Sequence, residues 1–136
     1  MVKDWITKTR QLAELSDFHK AGRRTGCIII KKGKVISEGF NKMKNRFSVS
    51  NRRGHTVHAE IDAINKINGM SLKGCRAYVF RQKGGVSRPC SMCLYALESK
   101  GIHSIIYENE YEDICRFISC RYAGMSVGEE VIKRHD

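Results

Sequence analysis

Two short strings some thirty residues apart, His58-Ala59-Glu60 and Pro89-Cys90-Ser91-Met92-Cys93, constrain this chain more than any other feature it carries. Together they hold one imidazole, two thiols and one spare carboxylate. That is the donor set of a catalytic zinc site with three protein ligands and an open fourth position. A fold that uses it must bring two distant segments to within bonding distance of one ion, and the spare carboxylate points to activation of a water molecule.

Each string reads as the start of a helix. Thr56 is a candidate N-cap for a helix over Val57 to Asn68, because Val57, Ile61, Ile64 and Ile67 fall at helical spacing and Gly69 follows as a stop. His58 and Glu60 then occupy its first turn. Residues two apart on a helix point about 200° apart, which suits one ligand and one acid/base group rather than two ligands. Pro89 is tolerated in the first turn of a second helix, along which Met92, Tyr95, Ala96 and Ser99 keep the i, i+3, i+4 spacing and Gly101 is the stop. Cys90 and Cys93 lie one turn apart at its N-terminus, where the partial positive charge of the helix favours thiolate, the form that binds zinc.

Charge is concentrated around these strings. From Gly39 to Leu97 there are eleven basic residues and two acidic ones, so that stretch carries +9 of the chain's net +11, while eight of its acidic residues lie from Glu98 onward. An anionic substrate follows from this concentration, with Lys42, Lys44, Arg52, Arg53, Arg81 and Arg88 as candidate phosphate contacts. At 136 residues the chain is expected to be a single domain, residues 1–136, with a core that needs no staples. It has no apolar run long enough to span a bilayer and no apolar leader in its first ten residues, so the expected location is the cytoplasm, with no membrane partner. Of six cysteines, Cys27 and Cys75 sit in apolar runs and are expected as buried free thiols. Cys115 and Cys120, with His103 or His135, match no standard zinc spacing.

The remaining elements follow from periodicity and stop signals. Asp4 to Ala21 reads as an amphipathic helix with Trp5, Leu12, Leu15 and Phe18 on its apolar side. Gly26 to Lys31 and Lys34 to Asn41 read as a hairpin about Lys32-Gly33, and Lys42 to Thr56 as a polar, basic loop. Cys75 to Arg81 and His103 to Glu108 read as further strands. Helical crossovers between the later strands predict a partly parallel sheet in an α/β domain. Tyr111 to Ser119 suits either a helix or a last strand, and Val127 to Arg134 reads as a short helix.

The two strings reproduce the H-x-E…P-C-x-x-C signature of zinc deaminases. With Glu38-Gly39-Phe40-Asn41, the extended string His58 to Ile64 and Gly101-Ile102 leading into the fourth strand, the chain resembles the cytidine deaminase superfamily over roughly Gly26 to Tyr107, most closely its deoxycytidylate and virus-type members. The resemblance implies a three-layer α/β/α domain with a central mixed sheet of about five strands and the two motif helices side by side beneath it. It also implies that His58, Cys90 and Cys93 bind Zn2+ and that Glu60 shuttles protons. Asn41, the backbone N–H of Ala59 and the carbonyl of Arg88 would contact the substrate. Met92 resembles the tRNA adenosine deaminase pattern, and Val86-Ser87-Arg88-Pro89 replaces the Thr-x-x-Pro approach of many deoxycytidylate deaminases.

Three readings of function follow. The first is hydrolytic removal of the amine from a cytosine nucleotide, most simply deoxycytidylate to deoxyuridylate. The second is a deaminase of cytosine or adenine in single-stranded DNA, RNA or tRNA, with Phe47 or Tyr95 stacking a splayed base. The third is a non-catalytic zinc-stabilised nucleic-acid-binding module, which would have no need of Glu60. Self-association as a homo-oligomer is left open by the sequence.

Overall fold

The β-branched run after Arg24 becomes strand β1 (Thr25–Lys31), and the chain reverses through Lys32 and Gly33 into β2 (Lys34–Phe40). Both turn residues have positive φ, 51° and 77°, which is the mirror-image turn whose twist matches that of the flanking strands. The structure is a computed structural model describing residues 2–18, 21–43, 56–119 and 129–134. Helix α1 (Val2–Ala13) precedes the hairpin. After it come the two-residue strands β3 (Lys42–Met43) and β4 (Thr56–Val57), then α2 (Ala59–Lys66), β5 (Arg76–Arg81), α3 (Ser91–Ser99), β6 (Ser104–Glu108), β7 (Asp113–Ile118) and β8 (Glu129–Arg134).

The main sheet has six strands in the order β2-β1-β5-β6-β7-β8, and β3 pairs with β4 in a separate ribbon. Only β5 and β6 are parallel. They are joined across α3, as a crossover requires, and every other neighbouring pair is antiparallel. Alternation along the strands sorts the core into two faces. Cys27, Ile29, Ala77, Val79, Ile105 and Tyr107 face α2 and α3, whereas Ile28, Ile30, Tyr78, Phe80, Ile106 and Ile114 face α1. The result is three layers, with helix on both sides of a mixed sheet. No helix among the described residues is long and apolar enough to cross a membrane.

Several expectations are corrected. The sheet has one strand more than the expected five, because Val127 to Arg134, read as a helix, contributes β8 on the edge against β7. The open reading of Tyr111 to Ser119 resolves as strand, entered through an Asx turn in which Asn109 Oδ1 accepts from the N–H groups of Tyr111 and Asp113. Helix α1 ends at Ala13 rather than Ala21, since Ser16 Oγ donates to the carbonyl of Asn41 at 2.7 Å and draws the chain off the helical path. Leu15 is consequently exposed. The buried side of α3 is Cys93 and Leu97, leaving Met92 and Tyr95 59% and 72% exposed, contrary to the expected stripe.

Two glycines set how closely the helices approach the hairpin. A Cβ on Gly39 would stand 2.5 Å from both the carbonyl oxygen of Ala59 and the backbone nitrogen of Ala63, so the first turns of α2 lie directly on the strand backbone. On the opposite face a Cβ on Gly26 would press into the carbonyl oxygen of Thr9 in α1. Gly39→Ala must displace backbone rather than a flexible side chain, and such overpacking costs about 3 kcal/mol. Thermal unfolding of that variant is expected roughly 10 °C below wild type. An unchanged melting temperature would show that α2 has room to shift.

Candidate metal centre and active site

His58 and Cys90 are not inside their helices but cap them. His58 has φ −68° and ψ 153°, and its carbonyl accepts the Asp62 N–H at 2.9 Å; Cys90 has φ −69° and ψ 166°, and its carbonyl accepts the Leu94 N–H at 2.9 Å. Thr56, expected as the first cap, instead pairs with Met43 in the β3–β4 ribbon. The extended cap conformation turns the imidazole off the helix and toward the second motif. Cys93 follows inside the first turn of α3, where the two sulfurs share one side.

The donor atoms of His58, Cys90 and Cys93 all lie within 4.8 Å of one another. His58 Nδ1 is 3.2 Å from Cys93 Sγ and 3.6 Å from Cys90 Sγ. Ligands at about 2.0 Å and 2.3 Å on a tetrahedral zinc are themselves separated by roughly 3.5 Å, so donor set and spacing fit zinc with a fourth position to spare. This is the only such cluster found among the described residues, where Cys27, Cys75 and Cys115 are buried free thiols. Cys120 and His135 lie outside the described residues.

Glu60 enters the same site from the first turn of α2 and is 5% exposed. Burial raises its carboxyl above the ordinary range, against the lowering influence of its own backbone N–H, of His58 and of a hydrogen bond with Cys93. Burial and the nearby Glu60 also push the Cys93 thiol strongly up, so desolvation outweighs the helix dipole that was expected to favour thiolate. A cation at the cluster is what would reverse that balance.

His58, Cys90 and Glu60 open onto a cavity of about 240 Å³, into which Asn41, Ala59, Arg81 and Arg88 also face. The His58 side chain makes no cap bond to α2, and the N–H of Ala59 is among the first-turn donors without an intrahelical partner. Asn41, expected as a substrate contact, stands in the cavity wall and braces it. Its Oδ1 accepts from the Thr25 N–H at 2.9 Å and its Nδ2 donates to the Arg23 carbonyl at 3.0 Å, leaving one lone pair and one N–H over. Asn41→Ala leaves the Thr25 N–H without its acceptor and takes one of two donors from the Arg23 carbonyl, which costs about 2 kcal/mol. A fall of roughly 6 °C in melting temperature is expected alongside any effect on activity. An unchanged melting temperature would remove the bracing role.

The candidate phosphate contacts separate. Arg81 faces the cavity. Lys42 does not line it, because its Nζ pairs with Asp62 Oδ1 at 3.1 Å and lies over the Phe40 ring. Arg88 lines the cavity, although its guanidinium pairs with Glu110 at 3.2 Å. Lys44, Arg52 and Arg53, like Phe47, lie outside the described residues.

Three contributors escaped the sequence reading. Arg23 lines the cavity although it lies outside the Gly39–Leu97 stretch in which basic residues concentrate. Asp62 accepts the Phe40 N–H and pairs with Lys42 and Lys66, tying α2 to the end of β2; its i, i+4 partner Lys66 was the available signal. Ser87 exchanges bonds with Glu108, N–H to carbonyl and amide to Oγ, both at 2.9 Å, and so anchors the approach to Cys90 with no sequence signal.

Comparison with known proteins agrees with this geometry. Residues 2–109 match the family described as the cytidine and deoxycytidylate deaminase zinc-binding region. A tRNA-specific adenosine deaminase of Aquifex aeolicus is 32% identical over 111 residues, covering 79% of this chain and 66% of that protein. Human deoxycytidylate deaminase is 27% identical over 101 residues, covering 64% and 53%. The chain thus spans about half to two thirds of the length of these relatives. The crystal structure of a cytidine deaminase from Burkholderia pseudomallei shares the fold, with a TM-score of 0.67 at 16% identity over 89% of this chain and 94% of that one.

Proposed function

Because the chain belongs to the cytidine and deoxycytidylate deaminase family, we propose that it is a zinc-dependent hydrolytic deaminase acting on a cytosine nucleotide, most simply deoxycytidylate. The observation that carries this reading is one small cavity lined by His58 and Cys90 of the metal cluster, by the buried Glu60, and by Arg23 and Arg81, for which no carboxylate partner is found among the described residues. At about 240 Å³ the cavity falls below the roughly 300–1,000 Å³ of drug-sized sites, which suits a base and its sugar. A zinc ion held by the three ligands supplies Lewis acidity that lowers the pKa of water to about 7.

The chain's own residues do the rest. Glu60 takes a proton from the attacking water and passes it to the ring nitrogen next to the amino-bearing carbon, which makes that carbon more electrophilic. Once the water oxygen has bonded to that carbon, Glu60 carries the remaining water proton to the amine, the C–N bond breaks, and ammonia leaves with a keto base behind. A carboxyl raised by burial is better matched to this two-way task than an exposed one. The Ala59 N–H and the spare capacity of Asn41 are available to hold the base, and the Arg88 carbonyl to accept from its amino group.

A polynucleotide substrate is the second reading, favoured by the 32% identity to a tRNA-specific adenosine deaminase and by the exposed Met92 and Tyr95 beside the site. Ammonia release from deoxycytidylate, deoxycytidine, cytidine, single-stranded DNA and RNA separates the two. Deoxycytidylate is expected to turn over best, with shallow salt dependence. Activity confined to strands, with a log-log salt slope near −0.7 per phosphate engaged, would overturn the nucleotide reading.

A further inference from the structure

Alternation places Ala77, Val79 and Arg81 on the same face of β5, the face that packs against α2 and α3. The first two are core residues. The third therefore carries a guanidinium to the point where that apolar stripe runs out into the cavity. Arg81 is paired in register with Thr25, just after Arg23, which also lines the cavity. The Arg23 backbone is fixed there, since its carbonyl accepts from both Asn41 Nδ2 and Thr25 Oγ1. The Arg81 backbone is fixed as well, its carbonyl accepting from Arg10 Nη1 at 2.8 Å.

Neighbouring cations have carboxylate partners: Arg10 has Glu108, Arg88 has Glu110, and Lys42 and Lys66 share Asp62. Among the described residues no carboxylate pairs with Arg23 or Arg81. Burial and the charge of Arg23 both disfavour the protonated Arg81, a guanidinium that nevertheless stays charged. Two like charges held on fixed backbone at one cavity wall are unfavourable until an anion lies between them.

We propose that Arg23 and Arg81 form a clamp for the terminal phosphate of the substrate, so that this site selects a nucleoside monophosphate over the free nucleoside. The proposal rests on the nucleotide reading above and adds the residues that read the phosphate. A terminal phosphate offers two negative charges and three oxygens, which two guanidiniums can engage together, whereas an internal phosphodiester offers one charge.

The test compares wild type with Arg23→Ala, Arg81→Ala, the double variant and the Arg→Lys pair, using two probes. The ratio of kcat/KM for deoxycytidylate to that for deoxycytidine is expected to fall roughly tenfold or more per alanine substitution and roughly 100-fold in the double variant, with partial recovery in the lysine variants. Inorganic phosphate, followed by calorimetry, is expected to bind wild type and to bind the double variant at least about tenfold more weakly. An unchanged ratio and unchanged phosphate binding would overturn the clamp and leave the deaminase reading intact. Phosphate binding that depends on both arginines in a protein that turns over no cytosine nucleotide would keep the clamp and overturn the function. Equal losses on nucleotide and nucleoside, with phosphate binding retained, would make the arginines structural and sink the proposal.

Discussion

Glu60→Gln is expected to lower turnover by at least about 10²–10⁴-fold, the range that a positioned proton carrier contributes. Glutamine has the same shape and retains an oxygen acceptor, but it cannot take a proton from water. Glu60 is buried against Cys93 and His58, so the substitution also removes a buried charge while leaving volume unchanged. Zinc content and melting temperature should therefore stay close to wild type while single-turnover rates collapse. Near-normal turnover would take Glu60 out of the mechanism; loss of zinc together with activity would make it a structural member of the metal centre.

The second large effect is on the metal itself. Wild type is expected to hold about one zinc per chain, and Cys90→Ala with Cys93→Ala to hold almost none, because the remaining imidazole is a single ligand where zinc takes three or four. Elemental analysis after dialysis against a mild chelator measures this directly. Turnover should drop to background. The fold is expected to persist with a lowered melting temperature, since Cys93 is buried beside Leu97 but the sheet has its own core on both faces. Full zinc occupancy in that double variant would place the metal elsewhere on the chain.

The sequence made the donor set legible because the chemistry of zinc ligation constrains residue type and spacing tightly. His58, Cys90 and Cys93 do converge, and Glu60 lies beside them. Their local conformation was not legible. Helical periodicity extends smoothly through Val57 and Pro89, and only tertiary contact decides that the caps fall on His58 and Cys90. Most of the sheet could be read from apolar runs bounded by turn residues. Strand β8 could not: Glu129-Glu130-Val131-Ile132-Lys133-Arg134 has no clean alternation, and its state is set by the free edge of β7. The concentration of basic residues includes Arg81 and Arg88 in the cavity wall, but also Lys42, which is not in it. Sequence proximity does not reveal which cations already have a carboxylate, as Lys42 and Arg88 do.

Asn41 joins wall and scaffold in one side chain, whereas Arg23 and Arg81 face the cavity with side chains that brace nothing else among the described residues. This divides the routes by which the chain can diverge. Replacing an arginine is a single step whose consequence falls on substrate choice, and a lineage or a library can take it and reverse it freely. Replacing Asn41 lowers folding stability at the same step, so it survives only in a background that has first gained a compensating substitution. Drift in substrate range should begin at the two arginines and reach the asparagine last.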